Sequence, residues 1–542
     1  MIPENLTAYF ESAMLENWDK KSLSDYHNGH MTFGEVANRI LKIHALYRKS
    51  GIKPGDKIAL IGNNSANWGS VYLATVTYGA VIVPLLQDFK PQDVYKLVNH
   101  SESKMLFGSE FILKNLEFDK FDNLDCIYKL DNFGLHHDCR NDAETLPDEN
   151  DVKPVTKDDF SLEHIPNDQL AAILYTSGTS GRPKGVMLEH NSLAANIRYA
   201  QANMPLTGGD RIVSFLPMAH SYGCAFEFLF PFTLGCTITF LGKLPAPNVV
   251  VKAFQEIQPR LILSVPLVME KIYKNKIKPV LDKPSIRIMR NIPGLRELVH
   301  KKIRKSMEES FGGNFKEVVI GGAKLNREVE LFLRKIKFRF AIGYGMTECG
   351  PLITYDGWRT TKIHSAGKPI DCLELKIDSD DPEKKPGEIL IKGENVMTGY
   401  YKNEELTKEI FTEDGWMRSG DLGLIDKDNY LFIKGRSKSM ILGPSGKNVY
   451  PEEIESKLNN KSLIGECLVV GRDDKIVAMI YPDHEKRRML GIHEKKIPAI
   501  FDEYKKEVNE ELPSYMHISK MQIRENEFEK TPKKSIKRFL YS

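Results

Sequence analysis

The sequence predicts an α/β fold, in which a large N-terminal domain of layered sheets and helices precedes a small α+β C-terminal domain. At 542 residues the chain is too long for one ordinary domain. Through roughly its first four-fifths, short β-rich runs such as "DKIALIG", "AVIVPLL" and "PRLILSVP" alternate with helical patterns. That alternation is typical of parallel sheets covered by helices.

The pattern changes towards the C-terminus. From about Leu373, short strands and turns follow one another, as in "LELKI" and "GEILIKG". After Arg436, the helical stretch "PEEIESKLNN" and the hairpin "ECLVVGRDDKIVAMIYP" predict a compact α+β unit. We place the boundary where a strand gives way to "GRSKS", so that the two domains span residues 1–435 and 436–542.

Composition excludes several functional classes. The chain is 41% hydrophobic and 27% charged, as expected of a globular protein, and its net charge of +3 argues against nucleic-acid binding. Seven cysteines without a C-x-x-C pair indicate reduced thiols. The first residues carry early acids and lack a basic start followed by an apolar core, so we expect no signal peptide. The charge-free stretch 58–87 is interrupted by polar residues and predicts strand, helix and strand. We therefore expect a cytoplasmic protein with, at most, peripheral contact with a membrane.

The stretch "YTSGTSGRPKGV" joins the predicted strand "QLAAILY" to "VMLEHNSLAANIRYA", whose apolar spacing predicts a helix. Its glycines let backbone N–H groups approach a ligand, its hydroxyls add donors, and its lysine adds a charge on a long stem. These features suit a polyphosphate, although a surface turn is an equal alternative for such a loop alone. The candidate residues are Thr176, Ser177, Gly178, Thr179, Ser180, Gly181 and Lys184.

This loop is not a P-loop. The Walker A pattern needs a hydroxyl residue after its lysine, whereas Gly185 follows Lys184. The other Gly-Lys pairs are followed by Leu, Pro and Asn, and no Rossmann G-x-G-x-x-G is present. A phosphate would have to be bound in another way.

Further candidates follow other predicted strands. In "LPMAHSYG", His220 and Tyr222 come just after a strand, which is the ligand side of an open α/β sheet, although a lone histidine is more often structural. "VVIGGAKLN" ends a strand in small residues, on which a flat ring can lie. They are Gly321, Gly322 and Ala323.

Three more stretches carry polar candidates. "AIGYGMTECG" offers Tyr344 and Gly345 beside a ring, Thr347 as a donor, and Glu348 as an oxygen ligand for Mg²⁺ or as a helix cap. In "GWMRSGDLG", Asp421 can accept from ribose hydroxyls or serve as a turn residue. Arg436, in "KGRSKS", is a candidate that would otherwise be an ordinary surface cation.

Together these stretches resemble the adenylate-forming superfamily of acyl-CoA synthetases, luciferases and nonribosomal-peptide adenylation domains. The hydroxyl-rich loop, "LPMAHSYG", "YGMTE", "PGEILIKG", "RSGD" and "GR-x-K" occur in the order typical of that family. The resemblance implies that the C-terminal domain is mobile about a hinge at residues 436–439. It also implies ATP, Mg²⁺ and CoA as cofactor and substrates.

The resemblance further implies a role for each candidate. Residues 176–184 hold the ATP phosphates, and Glu348 holds Mg²⁺. The glycine-rich strand end and Tyr344 frame the adenine, while Thr347 touches the reacting groups. Asp421 and Arg436 bind the ribose. The remaining roles fall to Lys438 at the hinge, Gly446 on a loop that turns toward the thiol site, and His220 as a gate between the acyl and thiol pockets.

The implied chemistry has two steps. A carboxylate attacks the α-phosphate of ATP and expels pyrophosphate, and a thiol then displaces AMP from the acyl-AMP. "PLVMEKIYKNKI" and "ENVMTGYYKNEELTKEIF" are similar to the long-chain fatty acid–CoA ligase branch. An acyl carrier protein as the thiol partner, or a non-catalytic homologue, stay open as alternatives. Five phenylalanines could line an acyl tunnel or belong to the core: Phe215, Phe226, Phe228, Phe230 and Phe232.

The C-terminal stretch "EKTPKKSIKRF" departs from the family pattern. Relatives place a lysine that serves adenylation where Ser535 stands here. Lys534 lies one residue away and is our candidate for that role. Lys537 is the alternative, because on an extended segment it points to the same side as Ser535.

Overall fold

A computed structural model describes residues 4–139, 152–176, 184–242, 247–442, 448–472, 475–530 and 536–541. Its strands, in chain order, are Lys21–Asp25 (β1), His30–Thr32 (β2), Lys57–Ile61 (β3), Val81–Leu85 (β4), Ser103–Gly108 (β5), Cys126–Lys129 (β6), Leu135–Asp138 (β7), Leu170–Thr176 (β8), Lys184–Glu189 (β9), Arg211–Ser214 (β10), Thr237–Phe240 (β11), Leu261–Ser264 (β12), Glu317–Ile320 (β13), Phe340–Ile342 (β14), Tyr344–Gly345 (β15), Leu352–Tyr355 (β16), Lys368–Pro369 (β17), Leu373–Asp378 (β18), Gly387–Gly393 (β19), Gly399–Tyr400 (β20), Met417–Ile425 (β21), Leu431–Arg436 (β22), Ile441–Leu442 (β23), Asn448–Val449 (β24), Ile464–Arg472 (β25), Lys475–Pro482 (β26) and Lys520–Ile523 (β27).

The α-helices surround these strands. In chain order they are Leu6–Glu16 (α1), Phe33–Lys49 (α2), Ala66–Thr77 (α3), Pro91–Ser101 (α4), Glu110–Leu113 (α5), His190–Asn203 (α6), Ser221–Gly223 (α7), Phe230–Thr233 (α8), Pro247–Ile257 (α9), Pro266–Ile272 (α10), Lys278–Leu281 (α11), Pro284–Asn291 (α12), Pro293–Ser310 (α13), Arg327–Lys335 (α14), Glu404–Ile410 (α15), Pro451–Asn459 (α16), His484–Met489 (α17) and Ile497–Glu510 (α18). A π-helical segment, Cys224–Leu229, joins α7 to α8.

The largest sheet has eight strands in the order β20-β9-β8-β4-β3-β5-β6-β7. Its central strands β8, β4, β3, β5 and β6 are parallel to their neighbours in that run. A second sheet, β10-β11-β1-β2, and a parallel three-stranded sheet, β12-β13-β14, form further layers. Every residue of α3 except Asn67 is buried, as expected of a helix that is covered on nearly all sides. The prediction of an α/β fold with layered sheets is confirmed.

The residues between the hydroxyl-rich loop and α6 form a strand, not the predicted helix. The sequence predicts a helix from Val186 onward, but the structure places Lys184–Glu189 in strand β9 and begins α6 at His190. Val186 and Leu188 alternate with less buried neighbours and pair with Leu174 and Ala172 of β8. Pairing with a distant strand therefore outweighs the local helical spacing.

The predicted tunnel phenylalanines divide into two groups. Phe228, Phe230 and Phe232 are fully buried in the main core, where Phe232 packs near Phe10 and Phe228 near Trp68. Phe226 is also buried but lines the large cavity described below. Most of this cluster is therefore ordinary core.

The C-terminal residues form a separate small α+β arrangement. Strands β25 and β26 make the predicted antiparallel hairpin, and β27 pairs with β26 in parallel. Helices α16 and α18 cover this sheet over their own apolar cluster. This arrangement contacts the preceding part of the chain through Asn326, whose Nδ2 donates to Ser456 O at 3.0 Å and to Asn460 Oδ1 at 2.7 Å.

Candidate active site

A cavity of about 1370 Å³ opens at the carboxyl ends of β8, β12 and β13. Strand ends of a parallel sheet expose backbone groups and loop side chains that side-by-side strands bring together. The described candidates that line it are Thr176, Lys184, His220, Gly321, Gly322, Tyr344, Gly345, Thr347, Glu348, Arg436 and Lys438.

Some candidates are placed differently. Among the described residues, Asp421 and Ala323 do not line the cavity wall, although Asp421 contacts two residues that do. Ser177, Gly178, Thr179, Ser180, Gly181, Gly446 and Lys534 lie outside the described residues. Lys537, the alternative to Lys534, does line the cavity, and its Nζ lies 3.5 Å from Glu529 Oε2.

The two ends of the hydroxyl-rich loop face each other across a strand pair. Thr176 ends β8, Lys184 begins β9, and the two residues are register partners. Burial lowers the pKa of Lys184, and the nearby Lys438 ammonium lowers it further, while Glu348 opposes this effect. The ladder thus holds a partly buried cation at the base of the loop, where an anionic ligand would stabilise its charged form.

Glu348 does not serve as a helix cap. It lies in the single turn Thr347–Cys349, which has no side-chain cap. Its Oε1 instead accepts a hydrogen bond of 3.0 Å from the hydroxyl of Tyr400. The carboxylate is therefore oriented toward the cavity by a buried phenol.

Tyr400 is a site residue that the sequence analysis missed. Its ring also lies under the Lys184 ammonium, whose Nζ is 5.1 Å from the ring centroid. Tyr400 reaches the site because β20 pairs with β9, where Tyr400 opposes Val186. Its only sequence signal is its position in "TGYYKN", a stretch that we used for substrate class alone.

Glu348 fits a magnesium ion that is shared with a polyphosphate. Among the described residues, no group of three or more His, Cys, Asp or Glu side chains forms a closed metal cage. Mg²⁺ in nucleotide sites is usually held by one or two carboxylates together with substrate phosphates. A single oriented carboxylate beside the loop ends meets that requirement.

A hydrogen-bonded chain joins Tyr344, Asp421 and Arg436. The Tyr344 hydroxyl donates to Asp421 Oδ2 at 2.7 Å, and Arg436 Nε lies 3.2 Å from Asp421 Oδ1. Asp421 is in strand β21 rather than a turn, and it opposes Arg436 of β22. Burial raises the pKa of Asp421, whereas Arg436 and Tyr344 lower it. Both carboxylate oxygens are thus held for an acceptor role.

Two glycines shape the wall where a flat ring would lie. A Cβ at Gly345 would lie 2.1 Å from the carbonyl oxygen of Pro351, so only glycine fits there. Gly322 has φ of +85°, which side-chain-bearing residues rarely adopt. Beneath Gly321, the hydroxyl of Tyr222 donates to Val319 O at 3.1 Å.

His220 lines the cavity at the start of α7, where its Nδ1 accepts from Tyr222 N at 3.2 Å. The segment before it is held by Glu227, a second residue that sequence analysis missed. The Glu227 carboxylate accepts from the backbone N–H groups of Phe215 and Leu216, each at 2.9 Å. Burial raises the pKa of Glu227. An acidic residue inside an aromatic run has no periodic signal that marks this role.

Two family models together match most of the chain. A family model described as AMP-binding enzyme matches residues 10–401. The chain belongs to the AMP-binding enzyme family. A second model, described as AMP-binding enzyme C-terminal domain, matches residues 438–541. The predicted membership of the adenylate-forming superfamily is confirmed.

Individual members of the AMP-binding enzyme family share less than a third of their residues with this chain in the matches described here. Long-chain-fatty-acid–CoA ligase FadD15 of Mycobacterium bovis is 29% identical over 470 residues, which are 81% of this chain and 75% of the relative. The chloroplastic long-chain-fatty-acid–[acyl-carrier-protein] ligase AEE15 of Arabidopsis thaliana is 27% identical and covers 87% of this chain and 75% of the relative. The crystal structure of the anthranilate CoA ligase AuaEII with anthranoyl-AMP has a TM-score of 0.80 at 20% identity, covering 99% of this chain and 96% of that chain. That likeness supports the shared fold.

In the part of the chain that the structure describes, no helix is long and apolar enough to cross a membrane.

Proposed function

We propose that this AMP-binding enzyme is an AMP-forming long-chain fatty acid–CoA ligase. The supporting observation is that one cavity is lined by the ends of the hydroxyl-rich loop, by the Glu348–Tyr400 pair, and by Tyr344 and Arg436, which Asp421 joins from outside the cavity wall. The loop ends suit the triphosphate of ATP, and the Tyr344–Asp421–Arg436 chain suits its ribose. The similarity to FadD15 supports the long-chain substrate.

In the first half-reaction, the fatty acid carboxylate attacks the α-phosphorus, a carboxyl–phosphate bond forms, and pyrophosphate leaves. Lys184 and residues 176–181 would hold the phosphates, Thr347 would donate to the reacting groups, and Asp421 and Arg436 would fix the ribose. Bound at Glu348 with the phosphates, Mg²⁺ would neutralise charge on the leaving group. Because such transfers depend mainly on positioning and charge, these residue types suffice.

In the second half-reaction, the CoA thiol attacks the acyl carbonyl and AMP leaves. We propose that the domain of residues 436–542 moves about a hinge at residues 436–439, so that one site serves both steps. Lys438 would lie at that hinge, His220 at the opening between acyl and thiol pockets, and Gly446 near the thiol. Lys534 would serve adenylation only.

A carrier-protein thiol is a second candidate, which the similarity to AEE15 favours. Purified protein should be given ATP, Mg²⁺ and a mixed pool of fatty acids, with CoA or a carrier protein in parallel. Mass spectrometry is expected to show long-chain acyl-CoA with AMP and pyrophosphate. Formation of ADP would contradict adenylation, and acylation of the carrier alone would replace CoA as the acceptor. No turnover with any acid would favour the non-catalytic alternative.

A further inference from the structure

We propose that the helical excursion α10–α13 is a docking surface for an anionic lipid bilayer. Residues 266–310, which span these helices, contain twelve Lys and Arg residues but five acidic ones. The chain has 76 Lys and Arg against 73 Asp and Glu, so the remaining residues carry 64 against 68. This segment is therefore strongly cationic within a chain that is otherwise net acidic.

Most of these cations lack a carboxylate partner. Among the described residues, ion pairs are found at three of the twelve, and all three are long. Lys278 lies 3.8 Å from Glu328, Arg296 lies 3.9 Å from its neighbour Glu297, and Lys305 lies 3.9 Å from Glu309. The positive field of the segment is thus left for a partner outside the chain.

Apolar side chains are exposed among the cations. Helix α12 has no buried residue, and its Ile288 is 65% exposed. Ile292, which has an extended backbone between α12 and α13, is 47% exposed. Leu298 of α13 is 61% exposed. Ile286 and Ile303 pack inward against the neighbouring apolar cluster, so the excursion is anchored to the fold while the outer residues face solvent.

A bilayer accounts for both features together. Lys and Arg around exposed aliphatic residues are typical of helices that lie in a membrane interface, where headgroups attract the cations and acyl chains receive the apolar side chains. An acidic protein would neutralise the cations, but it would not account for the exposed isoleucines. Single exposed apolar residues are common, whereas here three lie between positions 288 and 298 of a strongly cationic segment.

The excursion α10–α13 begins close to the cavity, so contact with a bilayer there would have a function. Helix α10 begins two residues after β12, whose Leu263 lines the cavity. If the proposed function holds, the substrate partitions into bilayers, and docking here would hold the cavity near its source. The surface itself follows from charge and exposure and does not depend on that activity.

The test is co-sedimentation of the full chain with phosphatidylcholine vesicles, with and without phosphatidylglycerol. One variant, Ile288→Ser/Ile292→Ser/Leu298→Ser, removes the apolar side chains, and its partition coefficient should fall more than ~10-fold. Another, Arg287→Glu/Lys301→Glu/Lys302→Glu, reverses three exposed cations and should lose more than ~100-fold, since each contributes roughly fivefold near an anionic leaflet.

The matched control, Lys384→Glu/Lys385→Glu/Lys427→Glu, makes the same charge change at exposed positions elsewhere and should bind like the parent chain. Thermal unfolding followed by circular dichroism checks that all variants fold. Absence of binding to anionic vesicles, or equal loss in the control, overturns the proposal. Loss in the charge variant alone would show that the exposed apolar side chains do not enter the bilayer, and would overturn the part of the proposal that distinguishes a bilayer from any other anionic surface. Because no step requires turnover, these outcomes are independent of the proposed reaction.

Discussion

Replacing Tyr400 with phenylalanine separates its two contacts. The change removes the hydroxyl that donates to Glu348 at 3.0 Å but keeps the ring beneath the Lys184 ammonium. A hydrogen bond to a charged group contributes about 1.5–3 kcal/mol, which corresponds to roughly 10- to 150-fold in rate if it is needed in the transition state. We expect fatty-acid-dependent exchange between ATP and pyrophosphate to slow by that factor and to need more Mg²⁺.

The neighbouring Tyr401 provides a matched control. Its hydroxyl donates to Glu102 at 3.1 Å, and neither residue lines the cavity. Tyr401→Phe should leave both the exchange rate and its Mg²⁺ dependence unchanged. Thioester formation from supplied acyl-AMP should survive in both variants, because it does not use the pyrophosphate end. If Tyr400→Phe matches Tyr401→Phe, or if its rate falls without any change in Mg²⁺ dependence, then Tyr400 does not position Glu348.

Three other predictions concern the same half-reactions. Glu348→Ala should lower adenylation by at least ~10²-fold, through about 3 kcal/mol of lost charge stabilisation, and a near-native rate at saturating Mg²⁺ would contradict this role. Lys438→Pro should block thioester formation but spare acyl-AMP formation, because proline fixes φ where the hinge should turn; equal loss of both steps, with an intact circular dichroism spectrum, would exclude this hinge. Of Lys534→Ala and Lys537→Ala, we expect the former to lose acyl-AMP formation by more than ~10-fold and to keep the second step. The opposite result would assign the role to Lys537.

The sequence predicted those parts of the site that follow strands. Strand β8 is parallel to β4, and β13 is parallel to β14, so residues at and after their carboxyl ends lie at one edge of each sheet. Thr176, Gly321 and Glu348 could be placed in this way without knowing the strand order. The structure brings them to a single cavity.

What the sequence missed depends on contacts between distant segments. Tyr400 enters the site by pairing with Val186, more than two hundred positions earlier, and no local period records such pairing. The same cause makes Val186 a strand residue despite its helical spacing. Glu227 acts through the backbone N–H groups of Phe215 and Leu216, which any residue type except proline would supply. Such partners are specified by tertiary packing alone.

If Asp421 and Arg436 bind the ribose as proposed, their ion pair links nucleotide affinity to the geometry of the segment that follows. Arg436 is the last residue of β22 and the first of the proposed hinge residues 436–439, so a change in its own φ angle would move its guanidinium relative to Asp421. A carboxylate released from its cation has a different free energy of interaction with ribose hydroxyls. By thermodynamic reciprocity, the factor by which the turn alters nucleotide affinity equals the factor by which the nucleotide biases the turn. On this proposal, a single ion pair would couple the conformation of the C-terminal residues to the affinity for the adenosine moiety.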